Sequence, residues 1–234
     1  MCRVDDGRYL AVRPDSGKGP YPVLLFFHGY NSSPEKNRDK KTVTPWREEG
    51  YLTVFPEGEG GSWSNVGSPQ DTRDELAFTA SVLADVAEEF DVDGRVVVTG
   101  HSQGSSMAWD VACYRPDLVD ALVGSAGSFW VPEPASCEAS RPVRHSHGTS
   151  DGVMPMEGRA IGSYHQGDVY EGIESWKVTN GCAGDPTVEV EDGVTCEVWS
   201  CTGDEVRLCL HDGGHGAPNG LAERSIPWVE SVLP

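Results

Sequence analysis

The sequence contains no long apolar run. Its apolar stretches fall well short of the roughly 18 residues of a membrane-spanning helix, so no spanning segment and no membrane partner are expected. The N-terminus also lacks the basic, apolar, small-residue order of an export signal. Positive charge is scarce: 18 Lys and Arg stand against 37 Asp and Glu, a net charge of −19 at pH 7. Such a chain repels polyanions, which excludes nucleic acid as a partner, and the acidic excess reads as a solvated surface. There is no internal repeat, no linker and no insertion long enough for a lid domain. At 234 residues the chain is expected to be one catalytic domain, 1–234, burying on the order of 70% of its unfolded surface.

Cysteine is not scarce. Four of the seven, Cys182, Cys196, Cys201 and Cys209, crowd one segment without a Cys-x-x-Cys pair or a His cluster, so disulfides are a better reading than a metal site. A hairpin turning near 202–204 would pair Cys196 with Cys209 and leave Cys182 for Cys201. Cys113 and Cys137 would then join a helix to a later loop. Free thiols remain an alternative, because spacing alone does not settle connectivity. Cys2 is left over, which suggests that its partner was removed with an upstream segment. This cysteine usage points to a secreted or periplasmic location.

Apolar runs at 9–12, 23–27, 52–55, 96–99, 121–125, 143–146 and 205–210 read as strands, several of them apolar on both faces as buried parallel strands are. Helical spacing marks 71–90, 102–113, 169–179 and 221–232. Strand and helix alternate, so the expected architecture is α/β, an open and mostly parallel sheet with helices on both faces. Glycine- and proline-rich loops follow the strand ends, where ligands bind in such sheets.

One strand carries a chemical motif. Val96-Val97-Val98-Thr99-Gly100-His101-Ser102-Gln103-Gly104 is a β-branched run ending in Gly-x-Ser-x-Gly and followed by a helix former. That order describes a nucleophile elbow, a sharp corner that exposes a serine Oγ and turns helix N–H groups toward whatever it attacks. Serine needs a base, and the base needs a carboxylate. Asp151, on a loop after one strand, and His215, in Gly213-Gly214-His215-Gly216 after another, supply both in the order serine, acid, histidine. Among the rivals, His28 and His101 read as positioning residues. His147 reads as a support under the acid loop, and His145, His165 and His211 as structural or exposed. Asp168 and Asp212 are less well placed than Asp151, and Asp120 precedes a strand at its wrong end.

The loop Phe27-His28-Gly29-Tyr30-Asn31 follows an early strand, so the backbone N–H groups of Tyr30 and Gln103 are the expected oxyanion donors. Tyr30, Trp63, Trp130 and Met154 follow strand ends and are candidate substrate contacts lining an apolar cleft, although each alone is as readily a packing residue.

Together these residues carry a resemblance. His28-Gly29, Pro56-Glu57-Gly58 with Ser62-Trp63, the elbow at Ser102, Ala112-Cys113 with Pro116-Asp117-Leu118, His147-Gly148 with Asp151 and Pro155, Asn180-Gly181-Cys182 and Gly213-Gly214-His215-Gly216 are similar to polyhydroxybutyrate depolymerase-like esterases. That α/β-hydrolase family includes feruloyl and acetylxylan esterases. The resemblance implies an α/β-hydrolase fold without a large lid and a secreted, disulfide-bearing protein. It also implies a triad of Ser102, Asp151 and His215 acting on a small or polymeric ester. Two departures flank the site: Gly29-Tyr30-Asn31 replaces a longer glycine run, and Gly216-Ala217-Pro218 replaces a Trp-Pro; the Tyr30 arrangement looks like that of cutinase-like polyesterases. The mechanism expected from residues and resemblance is ester hydrolysis through an acyl-enzyme by a monomer, with no metal or cofactor required. Peptidase or acyltransferase action on the same triad, and non-catalytic polymer binding, are the alternatives.

Overall fold

In the computed structural model, which describes residues 1–15 and 17–233, the apolar runs become the centre of a ten-stranded sheet. In chain order its strands are β1 (Cys2–Val4), β2 (Gly7–Val12), β3 (Tyr21–Phe27), β4 (Leu52–Pro56), β5 (Val92–His101), β6 (Ala121–Ser125) and β7 (Val143–Gly148). A separate hairpin, β8 (Arg159–Ile161) and β9 (Tyr164–Gln166), precedes the last three, β10 (Thr187–Glu191), β11 (Val194–Trp199) and β12 (Val206–His211). The helices are α1 (Pro34–Asn37), α2 (Thr44–Glu48), α3 (Glu75–Glu89), α4 (Gln103–Tyr114), α5 (Val169–Asn180) and α6 (Leu221–Val232).

The spatial order is β1-β2-β4-β3-β5-β6-β7-β12-β11-β10. From β4 to β12 every pairing is parallel, and both margins are antiparallel. The sheet is therefore mostly parallel and open, with the doubly apolar strands at its centre. β1, β10 and β11, at the margins, are the strands that apolar runs do not announce. β10 reads Thr-Val-Glu-Val-Glu and leaves Val188 and Val190 65% and 72% exposed. Its alternation gives it no fully buried face, and the hairpin register with β11 is what makes it a strand.

Each face of the sheet has its own core. On one, Phe78, Val82 and Val86 of α3, Trp109 of α4 and Ile173 and Trp176 of α5 pack on Leu25, Val98 and Leu122. On the other, Trp46 of α2 and Ile226, Trp228 and Val229 of α6 pack on Leu24, Val97 and Val123. Alternate residues of one strand thus serve opposite cores, each large side chain contributing about 1.5–3 kcal/mol by burial. The start of α3 lies four residues beyond the first helical residue suggested by the apolar spacing. Asp74 caps it by accepting the Ala77 N–H at 2.9 Å. The segment 148–162, expected as loop alone, also contains β8.

All three disulfides follow the pairing suggested by the sequence: Cys113–Cys137, Cys182–Cys201 and Cys196–Cys209. Cys196 and Cys209 are directly opposed across β11 and β12. Among the described residues Cys2 is the free cysteine, and no helix is long and apolar enough to cross a membrane.

Candidate active site

β5 enters α4 through Ser102, whose backbone sits at φ 58°, ψ −130°, a conformation rarely taken by residues with a Cβ. Two glycines make that corner possible. A Cβ on Gly100 would lie 2.7 Å from the Ser105 nitrogen, and one on Gly104 would collide with the carbonyl oxygens of Phe27 and His28. Strand β5, helix α4 and the end of β3 converge closely here. The Ser102 N–H donates to the Ser125 carbonyl at 3.0 Å, tying the corner to β6. Gln103 opens the helix, so its N–H has no partner within α4.

The structure brings Ser102, His215 and Asp151 into one relay. His215 Nε2 is 2.8 Å from Ser102 Oγ, and His215 Nδ1 is 2.7 Å from Asp151 Oδ2. The other Asp151 oxygen accepts the N–H groups of Val153 and Met154, each at 2.8 Å. Burial by itself would raise the carboxyl pKa. The Met154 N–H, His215 and the Val153 N–H outweigh it and hold the group below its ordinary value. Asp151 is thus an anion at neutral pH, with His215 Nδ1 facing it and His215 Nε2 facing Ser102 Oγ.

A second chain of imidazoles supports the acid loop. Trp109 Nε1–H donates to His145 Nδ1 at 3.2 Å, His145 Nε2 is 3.1 Å from His147 Nδ1, and His147 Nε2 is 2.7 Å from the Met154 carbonyl. The donors and acceptors close if both histidines are neutral with the proton on Nε2. Burial supports this by pushing both imidazoles below their ordinary pKa. Met154, whose N–H holds Asp151, is thereby anchored to α4.

His28 positions the neighbouring loop. Its Nδ1–H donates to the Gly29 carbonyl at 2.9 Å and its Nε2 accepts the Gly58 N–H at 3.0 Å, while burial lowers its pKa. Tyr30 follows directly, 61% exposed. The Gln103 side chain faces away from the relay, donating to Ser62 Oγ and to the Trp63 carbonyl at 3.0 and 3.2 Å. Its backbone is therefore the part of Gln103 available to a ligand.

The apolar cleft expected from four side chains does not form as drawn. Trp63 is fully buried, donates to the His28 carbonyl at 2.6 Å and packs edge-on against Phe27. An indole N–H at this depth needs an acceptor, and satisfying it turns the ring into a support under the loop. Trp130 and Met154 are also almost closed to solvent, at 5% and 3% exposure, so Tyr30 alone of the four presents surface. Sequence reasoning did not single out Val66, Val131 and Val153, exposed on the loops after β4, β6 and β7. Their side chains carry no chemical signal, and only loop placement distinguishes them.

Residues 8–136 match the model of the X-Pro dipeptidyl-peptidase (S15) family. The chain belongs to this family. Among relatives of the S15-family chain, feruloyl esterase D from Neurospora crassa is 26% identical over 165 residues, 63% of this chain and 54% of that enzyme. The chain thus spans about half the length of this relative. In fold it is similar to the acetyl xylan esterase from Aspergillus awamori, at TM-score 0.71 and 17% identity over 95% of this chain and 93% of that one. The Bacillus cereus carboxylesterase aligns at TM-score 0.64 and 16% identity over 98% and 96%. At such identities these two show the α/β-hydrolase fold of the S15-family chain. Its described residues contain no cluster of three or more His, Cys, Asp or Glu placed to hold a metal ion.

Proposed function

We propose that this protein is a serine ester hydrolase that works through an acyl-enzyme as one catalytic domain. The observation that carries the reading is the unbroken relay Ser102–His215–Asp151, at 2.8 and 2.7 Å, with its acid held ionised by two backbone N–H groups. His215 takes the Ser102 proton as Oγ adds to the ester carbonyl, and Asp151 stabilises the imidazolium that results. The backbone N–H groups of Tyr30 and Gln103 hold the oxyanion, aided by the α4 dipole. His215 then protonates the departing alcohol. Water, deprotonated by the same imidazole, releases the acid and restores the serine. No step calls on a metal or cofactor.

The substrate class we favour is a bulky or polymeric ester, including the plant-polymer and polyhydroxyalkanoate esters implied by the resemblance. Tyr30, Val66, Val131 and Val153 are exposed apolar side chains on loops after the carboxyl ends of strands, and we read them as the surface on which an extended ester lies near Ser102. The names of the esterase relatives support the ester part of this reading. Three disulfides in a chain with a net charge of −19 support a secreted or periplasmic monomer acting on neutral substrates.

Ser102→Ala is expected to abolish hydrolysis of nitrophenyl butyrate while leaving the circular dichroism spectrum unchanged. Full retained activity would remove the mechanism. The family description gives a specific reason to weigh peptidase action on the same triad. A matched pair, nitrophenyl ester against an Xaa-Pro nitroanilide, is expected to favour the ester strongly, and comparable rates would move the assignment to peptidase.

A further inference from the structure

Behind the elbow lies a cavity of about 330 Å³ that the relay does not use. Phe26, Pro218 and Leu221 make part of its wall apolar, and Lys40, Lys41 and Glu223 are exposed at its rim. His101 and Ser125 line its floor, although His101 Nδ1 and Ser125 Oγ themselves are closed to solvent and do not face the open volume. Ser125 is 1% exposed. The cavity adjoins the catalytic constellation at two points: the His101 ring centroid is 5.1 Å from that of His215, and Ala217, Pro218 and Asn219 follow His215 in sequence.

Charge decides the ligand's sign. Neither lysine makes an ion pair among the described residues. Partial burial holds the Lys40 ammonium below its ordinary value. Two cations against the single carboxylate of Glu223 leave this mouth positive on a molecule whose net charge is −19. We infer that this cavity is a binding site for a small organic monocarboxylate. Its carboxylate pairs with Lys40 and Lys41, and its compact apolar body lies against Phe26, Pro218 and Leu221. Through His101 and the loop at 217–219, occupancy couples to the position of His215. The binding claim itself is independent of the proposed ester hydrolysis.

The test is calorimetric titration of the wild-type protein with benzoate, acetate, benzyl alcohol and benzylamine at constant ionic strength. Benzoate is expected to bind more tightly than acetate by about tenfold or more, the contribution of burying its ring. It is also expected to bind more tightly than benzyl alcohol and benzylamine. In the double variant Lys40→Ala, Lys41→Ala, benzoate affinity is expected to fall by about tenfold, two partly exposed ion pairs being lost. Asn219→Trp, which fills the mouth without changing charge, is expected to weaken benzoate binding in a protein of unchanged thermal transition. Equal binding of acetate and benzoate would reduce the site to surface lysines and overturn the proposal. A preference for benzylamine would assign the mouth to Glu223 and overturn it, as would full affinity in both variants.

Discussion

A carboxylate beside an imidazole is useful only while it stays charged, and at Asp151 that depends on two backbone N–H groups rather than on a cation. Replacing Asp151 with Asn preserves size and one acceptor but removes the charge that stabilises imidazolium and fixes the His215 tautomer. Asp151→Asn is therefore expected to lower kcat for a nitrophenyl ester by about 10³–10⁴ with little change in KM. Steady-state kinetics at pH 8 checks it. Asp110 shows the opposite environment. It is buried in α4, accepts from Asn65 Nδ2 and the Val66 N–H, and has no cation beside it, so desolvation pushes its pKa up to about 7. The folded state then holds this proton more tightly than the unfolded state does. The resulting stability is full below the unfolded value of 3.8 and is lost as pH rises through about 7. Asp110→Asn should remove that slope, leaving the variant more stable than wild type at pH 8 by about 2–4 kcal/mol. Urea unfolding at pH 5 and pH 8 measures it.

The corner between β5 and α4 depends on glycine for space as much as for conformation. Because a Cβ at position 104 would enter the space of the Phe27 and His28 carbonyls, Gly104→Ala must push α4 away from β3. It is expected to cost about 2–4 kcal/mol in stability. It should also reduce kcat, since the displaced loop carries Tyr30. Thermal unfolding and kinetics on the same preparation separate the two effects. This corner was legible in the sequence because glycine spacing reports close approach directly. The role of Trp63 was not. Whether an aromatic residue after a strand faces solvent or supports a loop depends on which acceptor its N–H finds, and that acceptor, the His28 carbonyl, comes from the loop after β3.

At the scale of the molecule, 37 acidic residues against 18 basic ones make self-repulsion a standing cost of the folded state. Raising NaCl from about 20 to 500 mM shortens the screening length severalfold. It is expected to raise the melting temperature by a few degrees, each kcal/mol of relieved repulsion being worth about 2–4 °C in a chain of this size. Differential scanning calorimetry at pH 8 tests it, and an unchanged or falling melting temperature would show that local ion pairs outweigh the net field. The disulfides oppose that repulsion. They close loops with sequence separations of 24, 19 and 13, worth about 3 kcal/mol each in the chain-entropy view. The hairpin of β11 and β12 illustrates how sequence and structure meet: cysteine spacing suggested the turn, while the added edge strand β10, with its alternating Val and Glu, is defined by its partner.

By itself the sequence determined the parallel centre of the sheet, the elbow at Ser102 and the order of Asp151 and His215, and it suggested the cysteine pairs that the structure then formed. These are written in short-range patterns: apolar periodicity, glycine spacing and loops after strands. Tertiary structure alone decided what lies under and behind those loops. It linked His147, already read as a support of the acid loop, through His145 to Trp109, turned Trp63 inward, and placed Lys40 and Lys41 at the mouth of a cavity walled by Phe26, Pro218 and Leu221. The physical reason is that hydrogen-bond satisfaction and burial are properties of neighbours in space. Residues as distant in sequence as Lys40, Ser125 and Leu221 acquire a common chemistry only when the sheet brings them together.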